Sequence, residues 1–90
     1  MREIFYSSQF KKDFKRVQKQ GKDLPKMKKV LEALVNEESL GEMYRDHPLR
    51  GNYAGARECH IGPDWLLIYE VTGNVLNLLR TGSHAELLKM

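Results

Sequence analysis

The sequence predicts one α+β domain over residues 1–90, with an N-terminal strand and two helices packed on a twisted antiparallel sheet and a short C-terminal helical turn. Two observations lead to this fold class. Apolar residues recur at helical spacing up to about residue 35, whereas beyond it short β-rich runs alternate with Gly, Pro and Asn. A chain of 90 residues also has room for a single hydrophobic core only.

The first elements are a strand and a helix. Residues 3–7 are predicted to form the strand, and Ser7 or Ser8 can cap the helix that follows by accepting a hydrogen bond from a free backbone N–H. This helix runs to about Gln20, and Gly21 ends it. Its apolar stripe, which we interpret as core, consists of Phe10, Phe14 and Val17.

A second helix begins near Asp23 and Pro25, which suit the cap and the first turn. Its apolar positions also share one face, which we likewise interpret as core. They are Leu24, Met27, Val30, Leu31, Leu34 and Val35. The pair of helices therefore presents two apolar stripes for packing against a sheet.

The C-terminal half is predicted to form three consecutive antiparallel strands. Residues 48–61 contain Gly51-Asn52 and Gly55 and are typical of a hairpin with a looped turn. Turn sequences rich in Gly, Pro and Asn then separate the three strands, which are residues 56–61, 64–71 and 75–81. The second of these is the most continuously apolar, so it is placed in the middle. Residues 83–88 are expected to form the terminal helical turn.

Positive charge is concentrated in the N-terminal part of the chain. The net charge is +3, but residues 1–35 hold ten Lys and Arg against four Asp and Glu, whereas residues 36–90 hold five against eight. Such a surface can neutralise phosphates, although a solvated helix face explains the charge equally well. The residues concerned are Lys11, Lys12, Lys15, Arg16, Lys19, Lys22, Lys26, Lys28 and Lys29.

The composition argues against membrane and secreted classes of protein. No segment approaches 18 apolar residues, and no basic start precedes a long apolar stretch, so we expect a cytoplasmic protein without a membrane partner. Cys59 is the only cysteine, which excludes an intramolecular disulfide. Its thiol is interpreted as a small packed side chain rather than a nucleophile.

Strand register predicts that the histidines converge. Residues equidistant from an antiparallel turn lie opposite each other, so the first turn of the three-stranded unit sets His60 close to Asp64. The next turn sets Gly82 roughly opposite Asp64, which returns Arg80 and His84 to the same edge of the sheet. Two of the three histidines of the chain are therefore expected side by side.

The looped turn around Tyr53 adds the third histidine. It is expected to bring Asp46 and His47 back beside Cys59 and His60. The candidate site at this end of the sheet then comprises His47, Glu58, His60, Asp64, Arg80 and His84.

This set suits a reaction in which one group takes a proton and another gives one, because an unperturbed histidine has a pKa of about 6.5. RNA cleavage by its own 2′-hydroxyl is such a reaction and needs a base, an acid and a cation, but no metal. A zinc site is the weaker alternative, since the short paired ligand motifs of zinc proteins are missing. Trp65 is interpreted as partly core, with base stacking as a further role, and Arg80 either pairs with Glu58 or Glu70 or contacts phosphate.

Three ordered runs carry a resemblance to a known family. Residues 46–51 read DHPLRG, residues 57–65 read RECHIGPDW, and residues 80–84 read RTGSH. Together they resemble the YafQ branch of the RelE/ParE toxin superfamily, and the similarity extends over essentially the whole chain. The resemblance implies a RelE-like fold and an endoribonuclease that enters the ribosomal A site, cuts messenger RNA there and leaves a 2′,3′-cyclic phosphate. It also implies inhibition by a co-expressed antitoxin and no cofactor.

The resemblance also implies roles for single residues. His47, His60, Asp64 and His84 match the catalytic positions, with His84 as general acid and Asp64 or His60 as base. Arg80 would stabilise the charged phosphorane, Trp65 would help to shape the site, and the lysine-rich helices would bind ribosomal RNA. Glu58, which stands where an aspartate can occur, would be an accessory carboxylate, and Leu88 replaces an aromatic residue.

A second class of function stays open at this point. The superfamily also includes ParE-like toxins, which inhibit DNA gyrase by binding and cut no RNA. A pure gyrase binder has no chemical need for an edge rich in histidine. The convergence of the three histidines is therefore the feature that separates the two classes.

Overall fold

A five-stranded sheet runs through the computed structural model, which describes residues 1–88 without the side chain of Leu88. The strands lie in the order β1-β5-β4-β3-β2, and all neighbours are antiparallel except β1 and β5, which are parallel. Their bounds are β1 Glu3–Tyr6, β2 His47–Pro48, β3 Arg57–Gly62, β4 Trp65–Thr72 and β5 Val75–Gly82. The predicted α+β class is confirmed, but the sheet is mixed because of β1.

Three α-helices accompany the sheet: α1 (Ser8–Lys19), α2 (Leu24–Val35) and α3 (His84–Leu88). Ser7 caps α1 as predicted, since its hydroxyl accepts a hydrogen bond of 3.0 Å from the backbone N–H of Phe10. Short 3₁₀ turns occupy Glu42–Tyr44 and Gly51–Tyr53 in the connection around β2. Within residues 1–88, the helices are all too short or too polar to cross a membrane.

The core explains why the middle strand is continuously apolar. Alternate residues of β4 face opposite sides of the sheet, and both sides are covered. Trp65, Leu67 and Tyr69 belong to the main cluster beneath α1 and α2, whereas Leu66 and Ile68 belong to a smaller cluster on the other face. The helix stripes pack as predicted, with Phe10, Val17, Met27, Val30 and Leu34 buried.

The pairing of β5 with β4 differs from the predicted register. A bulge between β4 and β5 pairs Ile68 with Arg80 but Tyr69 with Leu78, so β5 carries one extra residue at Leu79. Leu66, and not Asp64, lies opposite Gly82: one residue of this difference comes from the bulge, and the other from a turn that is centred between Gly73 and Asn74 and not at Gly73. Symmetry about a turn gives the register of a regular ladder only, and an inserted residue moves everything beyond it.

The hairpin before β3 is also displaced by about one residue. His47 pairs with Glu58, whereas the prediction set it beside Cys59 and His60. The 3₁₀ turn at Gly51–Tyr53 makes the loop asymmetric, so its centre lies before Tyr53. The displacement keeps His47 at the same end of the sheet and makes Glu58 its direct neighbour.

Gly82 lies at a crowded junction of α1, β5 and α3. A β-carbon built at this position would be 2.5 Å from Nη2 of Arg16, 2.9 Å from Oε1 of Glu86 and 3.3 Å from a methyl group of Leu87. The Arg16 and Glu86 atoms are both held by hydrogen bonds, to the carbonyl of Thr81 and from the N–H of Ser83 respectively. A side chain at residue 82 would have to break these contacts, so glycine is required by packing.

Candidate active site

The three histidines lie together on the sheet face that α1 and α2 leave uncovered. Alternation along β3 puts Glu58 and His60 on the side of Leu66 and Ile68, His47 adjoins Glu58 on β2, and His84 begins α3 directly after β5. The ring centroids of His47 and His60 are 6.3 Å apart, and those of His60 and His84 are 5.5 Å apart. The predicted convergence is confirmed, with His60 in the centre.

His84 is held by Asp64 from the turn between β3 and β4. Oδ1 of Asp64 accepts hydrogen bonds from Nδ1 of His84, at 2.8 Å, and from its backbone N–H, at 3.1 Å. These two bonds lower the pKa of the Asp64 carboxyl, and the charges of His84 and Lys22 add to the effect. Because the carboxylate can only accept, Nδ1 carries the proton and Nε2 is left to meet a substrate.

His47 has an acceptor at each ring nitrogen. Nδ1 lies 2.6 Å from the backbone carbonyl of Arg45, and Nε2 lies 3.4 Å from Oε1 of Glu58. Arg45 adopts a left-handed conformation, with φ 48° and ψ 43°, immediately after the 3₁₀ turn. Oxygen atoms therefore face both ring nitrogens of His47.

The segment that carries His47 is anchored to the sheet through Asp46. Its carboxylate accepts a hydrogen bond of 2.9 Å from Nε of Arg57 and one of 2.7 Å from the phenol of Tyr69, a buried residue of β4. Burial raises the pKa of Tyr69, and the hydrogen bond to Asp46 raises it further, so the phenol remains a donor. The position of His47 thus depends on the hydrogen bond between Asp46 and the buried Tyr69.

His60 is the least exposed of the three histidine side chains, at 17% against 47% for His47 and 37% for His84. Burial lowers its pKa below the ordinary 6.5, and the charge of Glu58, which would raise it, is opposed by those of His84, Arg45 and His47. His60 is therefore neutral at neutral pH and can accept a proton.

Glu58 is a buried carboxylate among these rings. The residue is 3% exposed, its Oε1 lies 3.4 Å from Nε2 of His47 and 3.8 Å from Nε2 of His60, and its Oε2 has no hydrogen-bond partner among the described residues. Ligand atoms of Glu58, His60 and His84 also lie within 4.8 Å of one another, which is close enough to hold a metal ion. Glu58 therefore places a buried carboxylate beside two of the three imidazoles.

Two predicted contacts of the site are different in the structure. Trp65 is 4% exposed and its indole N–H donates to Oγ1 of Thr81 at 2.9 Å, so its predicted place in the core is confirmed, whereas this burial contradicts the further role of base stacking. Arg80 lies on β5, on the same face of the sheet as Glu58 of β3. Its guanidinium nevertheless binds Asp13 of α1, and not Glu58 or Glu70. Sequence reasoning missed Asp13, whose signal is a charge between Phe10 and Val17 in the apolar stripe.

Most of the basic residues that were predicted to bind phosphate lie on the helices α1 and α2 and not on the histidine face. The lysines of the set are exposed, apart from half-buried Lys22, which lies near Asp64. Arg16 does not contribute to a free positive surface, because its guanidinium contacts Asp13, Glu86 and the carbonyl of Thr81. Lys11, Lys15 and Lys28 border an apolar groove between α1 and α2 with a volume of about 910 Å³.

Comparison with known proteins agrees with the resemblance in the motifs. The family described as "Bacterial toxin of type II toxin-antitoxin system, YafQ" matches residues 2–89. The mRNA interferase toxin YafQ of Escherichia coli K12 is 46% identical over 87 residues, which cover 96% of this chain and 95% of that protein.

Solved structures give the same result for the fold. The crystal structure of the E. coli DinJ-YafQ complex matches with a TM-score of 0.89 at 45% identity, over 97% of this chain and 98% of the other. A metal-bound toxin from Helicobacter pylori matches with a TM-score of 0.90 at 45% identity, over 97% and 99% of the two chains. The chain belongs to the YafQ family of bacterial toxins of type II toxin-antitoxin systems.

Proposed function

We propose that this toxin is an mRNA interferase, an endoribonuclease that cleaves messenger RNA on the ribosome in the bacterial cytoplasm. The observation that carries the proposal is the pairing of a histidine fixed by a carboxylate, His84, with a neutral histidine, His60, 5.5 Å away between ring centroids. A proton donor and a proton acceptor on one face are what acid-base cleavage of RNA requires. The mRNA interferase activity of the E. coli relative supports the same reaction.

His60 acts as the general base. It takes the proton of the 2′-hydroxyl as O2′ attacks the adjacent phosphorus, and its lowered pKa keeps it neutral for this step. Asp64, the alternative base, is less suited, because its Oδ1 already accepts two hydrogen bonds from His84. The attack forms the 2′,3′-cyclic phosphate while the bond from phosphorus to O5′ breaks.

His84 acts as the general acid for the departing O5′. Its Nδ1–H stays bound to Asp64, which fixes the ring, and Nε2–H donates the proton that converts O5′ into a hydroxyl. The separation from His60 can be spanned by hydrogen bonds of about 3 Å to two oxygens of one phosphate. The pair therefore works on opposite sides of the scissile bond.

Positive charge on the same face stabilises the pentavalent phosphorane. Arg80 supplies this charge, His47 is a further ring on this face that can contact the phosphate, and Glu58 is an accessory carboxylate beside His47. No step of this mechanism uses a metal. An ion at the cluster of Glu58, His60 and His84 would instead occupy ring nitrogens that the proton transfers need.

Mapping of transcripts tests the proposed activity. RNA 5′ ends are sequenced after brief induction of the toxin and compared with those from a His84→Ala strain. Cuts within translated messages are expected for the parent chain only, and they should disappear when translation is blocked before induction. Intact messages together with arrested DNA replication would reject the proposal in favour of a gyrase-binding toxin.

The antitoxin is expected to occupy the groove between α1 and α2. This groove is lined by apolar side chains such as Phe14, Leu24 and Leu31 and is bordered by Lys11, Lys15 and Lys28. An amphipathic segment with acidic flanks complements both features. The complex of the E. coli relative with DinJ supports an antitoxin as the partner.

The remaining lysines are expected to bind ribosomal RNA without choosing the cleavage site. Changing Lys12, Lys19 and Lys29, which lie outside the groove, to glutamate should weaken ribosome association and flatten its dependence on salt. Sedimentation with ribosomes over a salt series measures the effect. The matched control changes the same residues to arginine, which keeps the charge. Equal association of both triple variants at every salt concentration would identify these lysines as an ordinary solvated face.

A further inference from the structure

Asp13 of α1 is the one aspartate or glutamate among the described residues with no exposed surface, and it lies in the apolar stripe between Phe10 and Val17. A buried carboxylate is costly unless it is paired and hydrogen-bonded. Burial by itself would raise the pKa of Asp13, but hydrogen bonds from Arg80 and Thr81 outweigh this, so that its pKa is lowered and the group is ionised. The chain therefore keeps a negative charge inside the helix layer.

The Asp13 carboxylate accepts hydrogen bonds from β5 and from its own helix, α1. Oδ2 accepts from Nε of Arg80 at 2.7 Å and from the backbone N–H of Thr81 at 3.2 Å. Oδ1 accepts from Nη2 of Arg80 at 3.3 Å, from Nη1 of Arg16 at 3.0 Å and from the amide of Gln9 at 3.4 Å. Arg80 is thus gripped through two nitrogens by a carboxylate that is itself immobilised.

The location of these contacts is set by the end of β1. Pairing of β1 with β5 stops at Tyr6 and Leu78, and the bulge at Leu79 follows. Beyond it, α1 replaces β1 as the neighbour of β5: Asp13 takes the N–H of Thr81, and Arg16 donates to its carbonyl at 2.9 Å. Asp13 consequently has two candidate roles. One is to accept the hydrogen bond of a backbone N–H at the edge of β5, and the other is to hold Arg80.

The grip leaves part of the guanidinium available. Arg80 uses Nε–H and one N–H of Nη2 on Asp13, so the N–H groups of Nη1 and the second one of Nη2 are left for Tyr53, a further side-chain partner, and for a ligand. A guanidinium is planar, so fixing one edge also fixes the direction of the others. Its free edge can therefore be presented to a phosphate in a single orientation.

We propose that Asp13 is a positioning residue for cleavage, which holds the Arg80 guanidinium on the histidine face so that its free N–H groups meet the transferring phosphate. The inference rests on the proposed function, in which Arg80 stabilises the phosphorane. Asp13 touches no substrate and acts through Arg80 alone. Its effect therefore belongs to the chemical step and not to association with the ribosome.

The test is a double-mutant cycle in single-turnover cleavage on ribosomes loaded with a defined message. Asp13→Asn keeps the shape of the side chain and removes its charge. It should lower the rate constant about 10- to 100-fold, with the half-saturating ribosome concentration unchanged within about twofold. In an Arg80→Ala background, the same substitution should have no further effect on the rate constant. Gln9→Ala, which also removes a donor to Asp13 but does not touch Arg80, is the matched control and should cleave like the parent.

Each outcome decides between the two roles of Asp13. An equal loss of the cleavage rate constant from Asp13→Asn in both backgrounds would mean that Asp13 only accepts the backbone hydrogen bond at the edge of β5. The inference would then fail, whereas the proposed ribonuclease activity would not be affected. An Arg80→Ala variant that cleaves like the parent would remove the role of Arg80 and the inference with it. Absence of cleavage by the parent chain would reject the proposed function itself.

A second variant keeps the inference testable if Asp13→Asn does not fold, which thermal unfolding would reveal. Arg80→Lys retains the charge beside Asp13 but cannot offer a fixed second edge to the phosphate. It should lose about as much rate as Asp13→Asn is expected to lose. Full activity of Arg80→Lys would show that a mobile cation suffices and would overturn the inference.

Discussion

Replacing His84 with alanine is expected to lower the rate constant of RNA cleavage by about 100- to 10,000-fold and to relieve growth arrest on induction. The reason is that Nε2 of His84 is the proposed source of the proton for O5′, with Asp64 fixed on the opposite nitrogen. Asp64→Ala should cause a smaller loss of the same kind, because the imidazole would remain without its anchor. Single-turnover cleavage on programmed ribosomes measures both variants.

A substrate with sulfur in place of O5′ distinguishes loss of the acid from any other defect. A thiolate leaves without protonation, so His84→Ala should cleave this substrate at nearly the parental rate. Thermal unfolding serves as the folding control, since the His84 side chain is 37% exposed and its removal opens no core cavity. A deficit of equal size on both substrates would show that His84 does not protonate the leaving group.

His60→Ala should cause a loss of similar size, about 100- to 10,000-fold, that the sulfur substrate does not repair. His60 is the proposed base, which acts at the 2′-hydroxyl and not at the leaving group. In the parent chain, the rate should rise with pH as His60 loses its proton. Because its pKa is lowered from the ordinary 6.5, this rising limb should lie below pH 6.5, and cleavage should already be fast near neutrality.

The pH profile of the variant provides the control for this assignment. His60→Ala should lack the rising limb that the parent shows in the acid range. The profile of Gln9→Ala, on α1, should retain it. A limb that persists unchanged in His60→Ala belongs to another group, in which case Asp64 or His47 would have to be the base.

The sequence was sufficient for the parts of the fold that depend on local rules. Helix stripes such as Phe10 and Val17, and the hairpins of the last three strands, follow from residue period and turn chemistry. The pairing of β1 with β5 did not follow, since about 70 residues separate partners such as Phe5 and Asn77 along the chain. No turn links them, so no turn rule predicts their direction or register.

The same distinction applies to the site. The histidines could be brought together in advance because each stands near a turn or a strand end. The contact between Asp13 and Arg80 could not be predicted in this way. It joins a helix to a strand 67 residues away, and the position of Arg80 depends on a bulge that turn symmetry cannot reveal. The base-stacking role of Trp65 was wrong for a related reason, since the complete burial of both faces of β4 depends on residues from the whole chain.

The crowding around Gly82 has a consequence for the spacing of the catalytic groups. Arg80 and His84 stand on either side of this junction, and the main chain between them is wedged against Arg16, Glu86 and Leu87. Even a methyl group would push outward either α3, which carries His84, or α1, whose Asp13 binds Arg80. The distance between the Arg80 cation and the His84 proton donor therefore depends on residue 82 having no side chain.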